Sequence, residues 1–162
     1  SLLPFSRYVL LTYYPFPFFC QNISFTLLKL FNCSIRSVQV YGPSMLPTLN
    51  LTGDVVLAEH VSPRLGKLGP GDLVLLRSPL NPNRTLTKRI VGFEGDRITY
   101  FDPRHGDVPQ TAVVPMGHVW IQGDNIYASR DSRHFGPIPY GLIEGKVFFR
   151  VWPPHSFGQL DY

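Results

Sequence analysis

Residues 42–49, with the sequence GPSMLPTL, hold a serine in a setting that suits a nucleophile. Pro43 and Pro47 lie on either side of Ser44, and each proline fixes its own φ and restrains the residue before it. Gly42 has no side chain and lets another chain approach the serine closely. A rigid, approachable hydroxyl is what acyl transfer requires. An ordinary loop serine in a proline-rich turn would have the same neighbours, so this segment alone leaves both interpretations open.

A serine nucleophile needs a base. Histidine is the usual one, and the chain contains His60, His105, His118, His134 and His155. Lys88 is the other candidate, because it lies in the strand-like apolar run of residues 86–92 (LTKRIVG). A lysine that points inward from such a strand loses hydration, and its pKa would have to fall from ~10.4 to ~7–8 for it to act as a base. A solvated strand lysine beside Arg89 is the alternative.

A third segment, residues 123–137 (GDNIYASRDSRHFGP), is dense in Asp, Ser and Arg for a chain in which only 16% of the residues are charged. A loop of this composition can form an Asp–Arg ion pair and direct serine hydroxyls inward. A polar surface turn would account for the same composition, so this segment too has two interpretations.

The scaffold for these segments is predicted to be β-structure from residue 36 onward. Gly–Asp pairs, which favour turns, recur at 53–54, 71–72, 95–96 and 123–124. Hydrophobic and β-branched runs flank these pairs, and the expected strands cover 55–58, 73–76, 88–91, 97–100, 119–121 and 146–152. No stretch keeps helical spacing convincingly over three turns. We therefore predict a mostly β fold, namely an antiparallel, barrel-like catalytic domain with long loops.

The composition changes sharply near residue 41. No glycine occurs before Gly42, and no acidic residue occurs before Asp54. We therefore divide the chain into a hydrophobic N-terminal segment, residues 1–35, and a catalytic β domain, residues 36–162.

The N-terminal segment contains an uncharged stretch, residues 8–28, that is long enough to span a bilayer. Pro15 and Pro17 would interrupt a helix there, and Gln21 and Asn22 place amides near its middle. A membrane anchor is the favoured interpretation, with a targeting peptide or a soluble flap as alternatives.

The charge and the cysteines exclude some classes of function. The net charge is +4, but the fifteen Lys and Arg residues are scattered and match no nucleic-acid-binding motif, so no nucleic-acid partner is expected. Cys20 and Cys33 have no metal-ligand spacing, and a disulfide between them is left open.

Taken in order, the three polar segments resemble the type I signal peptidase family, peptidase S26. The family pattern is Ser-Met-x-Pro-Thr, then Lys-Arg-Ile/Val-x-Gly, then Gly-Asp-Asn-x-x-x-Ser-x-Asp-Ser-Arg-x-x-Gly, and all three parts are present within about residues 40–152. The joint match is far more specific than any one segment. Residues 114–120 (VPMGHVW) and 135–143 (FGPIPYGLI) are most similar to the mitochondrial inner membrane members.

The resemblance implies a role for each matching residue. Ser44 matches the nucleophile, Lys88 the general base, and Ser129 the hydroxyl that orients the lysine amine. The loop residues that brace the site are matched by Asp124, Asp131 and Arg133.

The resemblance also concerns the oxyanion hole, for which the Ser44 backbone N–H is one expected donor. Many bacterial members have a serine hydroxyl two residues before the nucleophile, but this chain has Gly42 there, so the second donor is left open. Met45 follows the nucleophile as the second residue of the first motif.

The function implied is that of a serine endopeptidase that removes sorting or signal peptides from preproteins. The implied location is the mitochondrial inner membrane, with the catalytic domain in the intermembrane space, a second related peptidase subunit as partner, and no metal or cofactor. The alternatives are a thylakoid or bacterial-type leader peptidase, a non-catalytic assembly subunit, and a self-cleaving repressor. Endoplasmic reticulum relatives have histidine at the position of Lys88, which argues against that branch.

Overall fold

The computed structural model describes residues 34–102 and 108–160. In chain order its elements are β1 (Ile35–Tyr41), β2 (Thr52–Glu59), α1 (Val61–Arg64), β3 (Leu73–Arg77), β4 (Thr85–Phe93), β5 (Arg97–Phe101), β6 (Pro109–Val113), β7 (His118–Gln122), α2 (Ser132–Phe135), β8 (Ile138–Pro139), β9 (Ile143–Trp152) and β10 (Gly158–Gln159). Short 3₁₀ turns lie at Pro43–Met45, Tyr140–Leu142 and Pro154–Ser156.

Most strands belong to one antiparallel sheet with the order β1-β2-β9-β3-β4-β7-β8. The long strand β9 pairs with β2 and β3 and also carries β10, while β5 and β6 form a separate hairpin. The sheet curls into a half-barrel that stays open, with β1 and β8 at its ends. The prediction of a mostly β, antiparallel, barrel-like domain is confirmed.

The core has two parts, and β3 separates them. Leu73 and Leu75 pack into a cluster with residues of β1, β2 and β9, whereas Val74 and Leu76 pack into a second cluster with residues of β4 and β7. Successive strand residues point to opposite faces, so both faces of β3 are covered. This explains why the sequence of β3 is continuously apolar rather than alternating.

One predicted turn is wrong. Three of the Gly–Asp pairs lie between strands or in loops, but Gly53 and Asp54 lie inside β2. Gly53 has a φ of +89°, and the β1–β2 register passes from Val40↔Asp54 to Tyr41↔Thr52, so Gly53 forms a bulge in the hairpin. Asp54 is fully buried and accepts a hydrogen bond from Arg150 at 3.0 Å. That partner comes from β9 and could not be found from local turn chemistry.

The predicted N-terminal segment, residues 1–35, lies almost wholly outside the described residues, as do Cys20, Cys33 and His105. Its boundary and its membrane role stay predictions. Among residues 34–102 and 108–160, no helix has the length and apolar character needed to cross a bilayer.

Candidate active site

Ser44 lies in the 3₁₀ turn Pro43–Met45, which directly follows β1. Gly42 connects the strand to the turn with a φ of +109°, a conformation that glycine adopts easily, and its N–H donates to the Leu51 carbonyl at 2.8 Å. Met45 is only 2% exposed and packs into the core beneath β1 and β2. Ser44 is therefore held between a hydrogen-bonded backbone and a buried side chain.

Lys88 lies in β4, on the face that carries the second core cluster. Its side chain shares that face with Ile90, two residues along, and with Val74, its antiparallel partner in β3. Both neighbours are fully buried, and Lys88 itself is 3% exposed. Its Nζ donates a hydrogen bond to Ser44 Oγ at 2.6 Å. The structure thus brings the candidate base into direct contact with the candidate nucleophile.

Burial lowers the pKa of Lys88 from 10.5 to about 8, because an apolar environment destabilises the charged amine. The nearby charges act in both directions: Asp131 raises this pKa, Arg133 lowers it, and Asp124 raises it. Burial has the largest effect. About a tenth of such lysines would be neutral at pH 7, and about half at pH 8.

Asp131 is fully buried and anchors the third segment. Arg133 donates to both of its oxygens, from Nε at 2.8 Å and from Nη2 at 2.6 Å. The Gly123 N–H and the Ser129 hydroxyl also donate to it, at 2.8 Å and 2.6 Å. Burial raises the pKa of Asp131, but these hydrogen bonds and the charge of Arg133 lower it by more, so the carboxylate stays ionised.

Asp124 connects all three sequence segments. Arg89 donates to its two oxygens at 2.9 Å and 2.7 Å, and Thr48 Oγ1 donates at 2.5 Å. Burial raises the pKa of Asp124, whereas the hydrogen bonds from Arg89 and Thr48 and the charges of Arg89 and Lys88 lower it overall. The sequence reasoning did not select Arg89 or Thr48 as site residues. Thr48 belongs to the first family motif and Arg89 to the second, and this could have identified both as site residues.

The loop after β7 runs against the nucleophile turn. The Asn125 backbone N–H donates to the Ser44 carbonyl at 3.1 Å, and its side-chain amide donates to the Pro43 carbonyl at 3.1 Å. A Cβ on Gly123 would lie 2.2 Å from Ser129 Oγ and 2.4 Å from the Ser44 carbonyl oxygen. Ser129 and the Ser44 backbone therefore flank the same glycine. Because the Ser129 hydroxyl donates to Asp131, its role toward the lysine stays a prediction.

Gly123→Ala is expected to lower kcat/KM by about 10- to 100-fold, because the new methyl group must displace either Ser129 or the Ser44 backbone and a shift near 1 Å is enough for such a loss. Gly69→Ala is the control, since a Cβ there meets nothing within 4 Å. Kinetics on a preprotein-derived peptide, with thermal unfolding of each variant, would check this. Normal activity of Gly123→Ala would contradict the close packing.

Two of the candidate histidines have hydrogen-bond partners away from Ser44. His118 Nδ1 lies 2.9 Å from the Met116 carbonyl, and His60 Nδ1 is hydrogen-bonded to the Glu144 carbonyl. Within the described ranges, the basic side chain that contacts the Ser44 hydroxyl is that of Lys88. The same ranges contain no cluster of His, Cys, Asp and Glu side chains that could hold a metal ion.

Comparison with known proteins decides the family. The model of the family described as signal peptidase, peptidase S26, matches residues 18–104 and 101–152. The chain belongs to the S26 signal peptidase family. This peptidase is 66% identical over 127 residues to mitochondrial ATP-independent inner membrane protease subunit 1a of Arabidopsis thaliana, an alignment that covers 78% of this chain and 76% of that protein.

Two further relatives of this peptidase carry similar names. It is 46% identical to human mitochondrial inner membrane protease subunit 1, over 76% of this chain and 73% of that protein. It is 35% identical to mouse mitochondrial inner membrane protease subunit 2, over 90% of this chain and 85% of that protein. The predictions of a signal-peptidase-type serine peptidase and of a likeness to the mitochondrial inner membrane members are confirmed.

Proposed function

We propose that Ser44 and Lys88 are the nucleophile and the general base of this peptidase. One observation carries the proposal: a lysine that is 3% exposed places its amine 2.6 Å from a serine hydroxyl. A solvated surface lysine would stay charged at physiological pH and could not accept a proton. A buried lysine with a pKa of about 8 can do so.

In the acylation step, neutral Lys88 accepts the hydroxyl proton of Ser44 while Oγ bonds to the scissile carbonyl carbon. The protonated Lys88 then donates that proton to the leaving nitrogen, and the C–N bond breaks. This releases one product with a free amine and leaves the other part of the substrate as an ester on Ser44.

Hydrolysis of the ester uses the same groups. Lys88, neutral again, accepts a proton from a water molecule while the water oxygen bonds to the ester carbonyl carbon. The Ser44 oxygen then leaves and takes the proton from Lys88, which releases a carboxylic acid product. No charge is left on the dyad at the end of the cycle.

The remaining candidates support these steps. The Ser44 backbone N–H, near the start of its 3₁₀ turn, is the proposed oxyanion donor. Gly42 and Met45 hold that turn from either side. Asp131 binds Ser129 and Arg133 in the loop, and the charges of Asp131 and Arg133 both act on the pKa of Lys88. We assign Ser129 to orient the lysine amine, because its own proton is donated to Asp131 and its lone pairs remain to accept from the amine.

The natural substrates are preproteins, and the site of action is the mitochondrial inner membrane with the catalytic domain in the intermembrane space. Residues 1–35 serve as the anchor, and residues 36–162 as the catalytic domain. A second related subunit completes the enzyme. Support comes from the relatives' names, which place them at this membrane and number them as subunits 1 and 2, and from the hydrophobic character of residues 8–28.

The pH dependence tests the dyad directly. Because only the neutral amine accepts a proton, kcat/KM is expected to fall tenfold for each pH unit below the pKa of Lys88, which is about 8. Activity should therefore rise between pH 6 and 8 and level off above about pH 9. The measurement is kcat/KM on a preprotein-derived peptide across this range. An acidic limb centred near ~6.5 would indicate a histidine base instead.

A further inference from the structure

A groove with a volume of about 450 Å³ leads away from Ser44 and Lys88. Residues 38–42 of β1 and the glycine after it line one side, and residues 84–88, at the start of β4, line the other. Its floor includes Leu75 and Met45. Both members of the candidate dyad, Ser44 and Lys88, are among the lining residues.

Within residues 34–102 and 108–160, both strands present a backbone edge without a strand partner beside the groove. Among these residues β1 is the end strand of the sheet, and it pairs with β2. In β4, pairing with β7 begins only at Arg89, so residues 85–88 pair only with β3 within the described part of the chain. An extended peptide can bind to such edges through its backbone.

Arg84 lines the groove on the β4 side, four residues before Lys88. Its backbone is held by hydrogen bonds, with its N–H donating to the Asn81 carbonyl at 2.9 Å and its carbonyl accepting from Ser78 at 2.8 Å. Its side chain is exposed, and no ion pair joins it to another described residue. The groove lining contains no Asp or Glu, and its charged members are Arg84 and Lys88. Arg84 therefore has no acidic side chain beside it in the groove lining, and its charge is available to a substrate.

The number of residues between Arg84 and Lys88 sets the distance from the dyad at which Arg84 can contact a substrate. Arg84 precedes Lys88 by four residues, which corresponds to about 13 Å along a strand. A substrate strand beside β4, with its scissile carbonyl at Ser44, would bring a residue four or five positions from that carbonyl next to Arg84. The acyl half stays bound to Ser44 until hydrolysis, so a groove continuous with Ser44 is suited to hold that half.

We propose that Arg84 forms a subsite for a carboxylate side chain of the substrate, located four or five residues before the scissile bond. Substrates with Asp or Glu there are bound in preference to substrates with Lys. The inference rests on the proposed function, because Ser44 defines where the scissile bond lies. An exposed Arg–carboxylate pair contributes up to about fivefold in affinity. Repulsion between Arg84 and a substrate lysine widens the difference in affinity between acidic and lysine-containing substrates.

Equilibrium binding tests this subsite without turnover. The full chain in detergent, carrying Ser44→Ala, is titrated with fluorescent peptides that differ only in having Asp, Asn or Lys at the third to sixth positions before the bond. At low ionic strength the Asp peptide is expected to bind about five- to tenfold more tightly than the Lys peptide at position four or five. Adding Arg84→Gln should remove the preference, and adding Arg84→Glu should reverse it.

Arg64→Gln is the matched control, since Arg64 is an exposed arginine at the end of α1 outside this groove, and it should keep the preference. Equal affinities for the Asp and Lys peptides at all four positions, or a preference that Arg84→Glu does not reverse, would overturn the subsite. Failure of the dyad has a different signature, because the Ser44→Ala chain would then cleave the peptides, and chromatography of the titrated samples would detect the products.

Discussion

Ser44→Ala and Lys88→Ala are each expected to lower kcat by at least about a thousandfold, because a nucleophile and its base act as one unit. Lys88→Arg should be equally inactive at any accessible pH, since a guanidinium keeps its proton. Lys88→His is expected to restore a little activity, shifted to lower pH, because imidazole titrates near ~6.5. Single-turnover and steady-state cleavage of a preprotein-derived peptide would measure all four variants.

Folding controls separate loss of chemistry from loss of structure. Burial lowers the pKa of Lys88 to about 8, so the charged amine destabilises the folded state at pH 7. Lys88→Met, which keeps most of the volume and removes the charge, should therefore have a Tm at pH 7 no lower than that of the wild type.

A fully active Lys88→Arg enzyme would mean that the base lies elsewhere, and His118 and His134 would be tested next.

Arg133→Leu is expected to lower the free energy of unfolding by about 3–5 kcal/mol. The side chains of Arg133 and Asp131 are 5% and 0% exposed, so the substitution leaves a carboxylate in the interior without its counter-charge. The Gly123 N–H and the Ser129 hydroxyl still donate to Asp131, but neither neutralises it. Urea unfolding of the two proteins at pH 7 would measure the difference.

The matched control is Arg77→Leu. Arg77 also pairs with a carboxylate at 2.8 Å, but its side chain is 56% exposed, so its loss should cost no more than about 1 kcal/mol. Equal destabilisation by the two substitutions would contradict the argument from burial.

Arg133→Leu should also change the pH profile. Arg133 lowers the pKa of Lys88 and Asp131 raises it, so removing the arginine leaves the aspartate unopposed. The pKa of Lys88 should rise, and the acidic limb of kcat/KM should move to higher pH. If the acidic limb of kcat/KM lies at the same pH in Arg133→Leu and in the wild type, Arg133 has no electrostatic influence on Lys88.

The amino-acid sequence by itself determined the strands and the three motifs. Strand residues alternate between faces, and turn residues have local preferences, so both can be recognised within a few positions. The joint spacing of the motifs also identified the family, although each motif alone had an ordinary interpretation. Gly53–Asp54 shows where local reasoning failed, because both residues lie inside β2 and Asp54 pairs with Arg150 from a distant strand.

Only the tertiary structure decided how the motifs work together. The sequence showed that Lys88 lay in an apolar run, but the curl of the sheet decided that its amine would be buried and meet Ser44. The hydrogen bonds that Arg89 and Thr48 donate to Asp124 likewise depend on three segments converging. The physical reason is that a pKa and an ion pair depend on what surrounds a side chain in space, and strand pairing brings together residues whose separation along the chain gives no local signal.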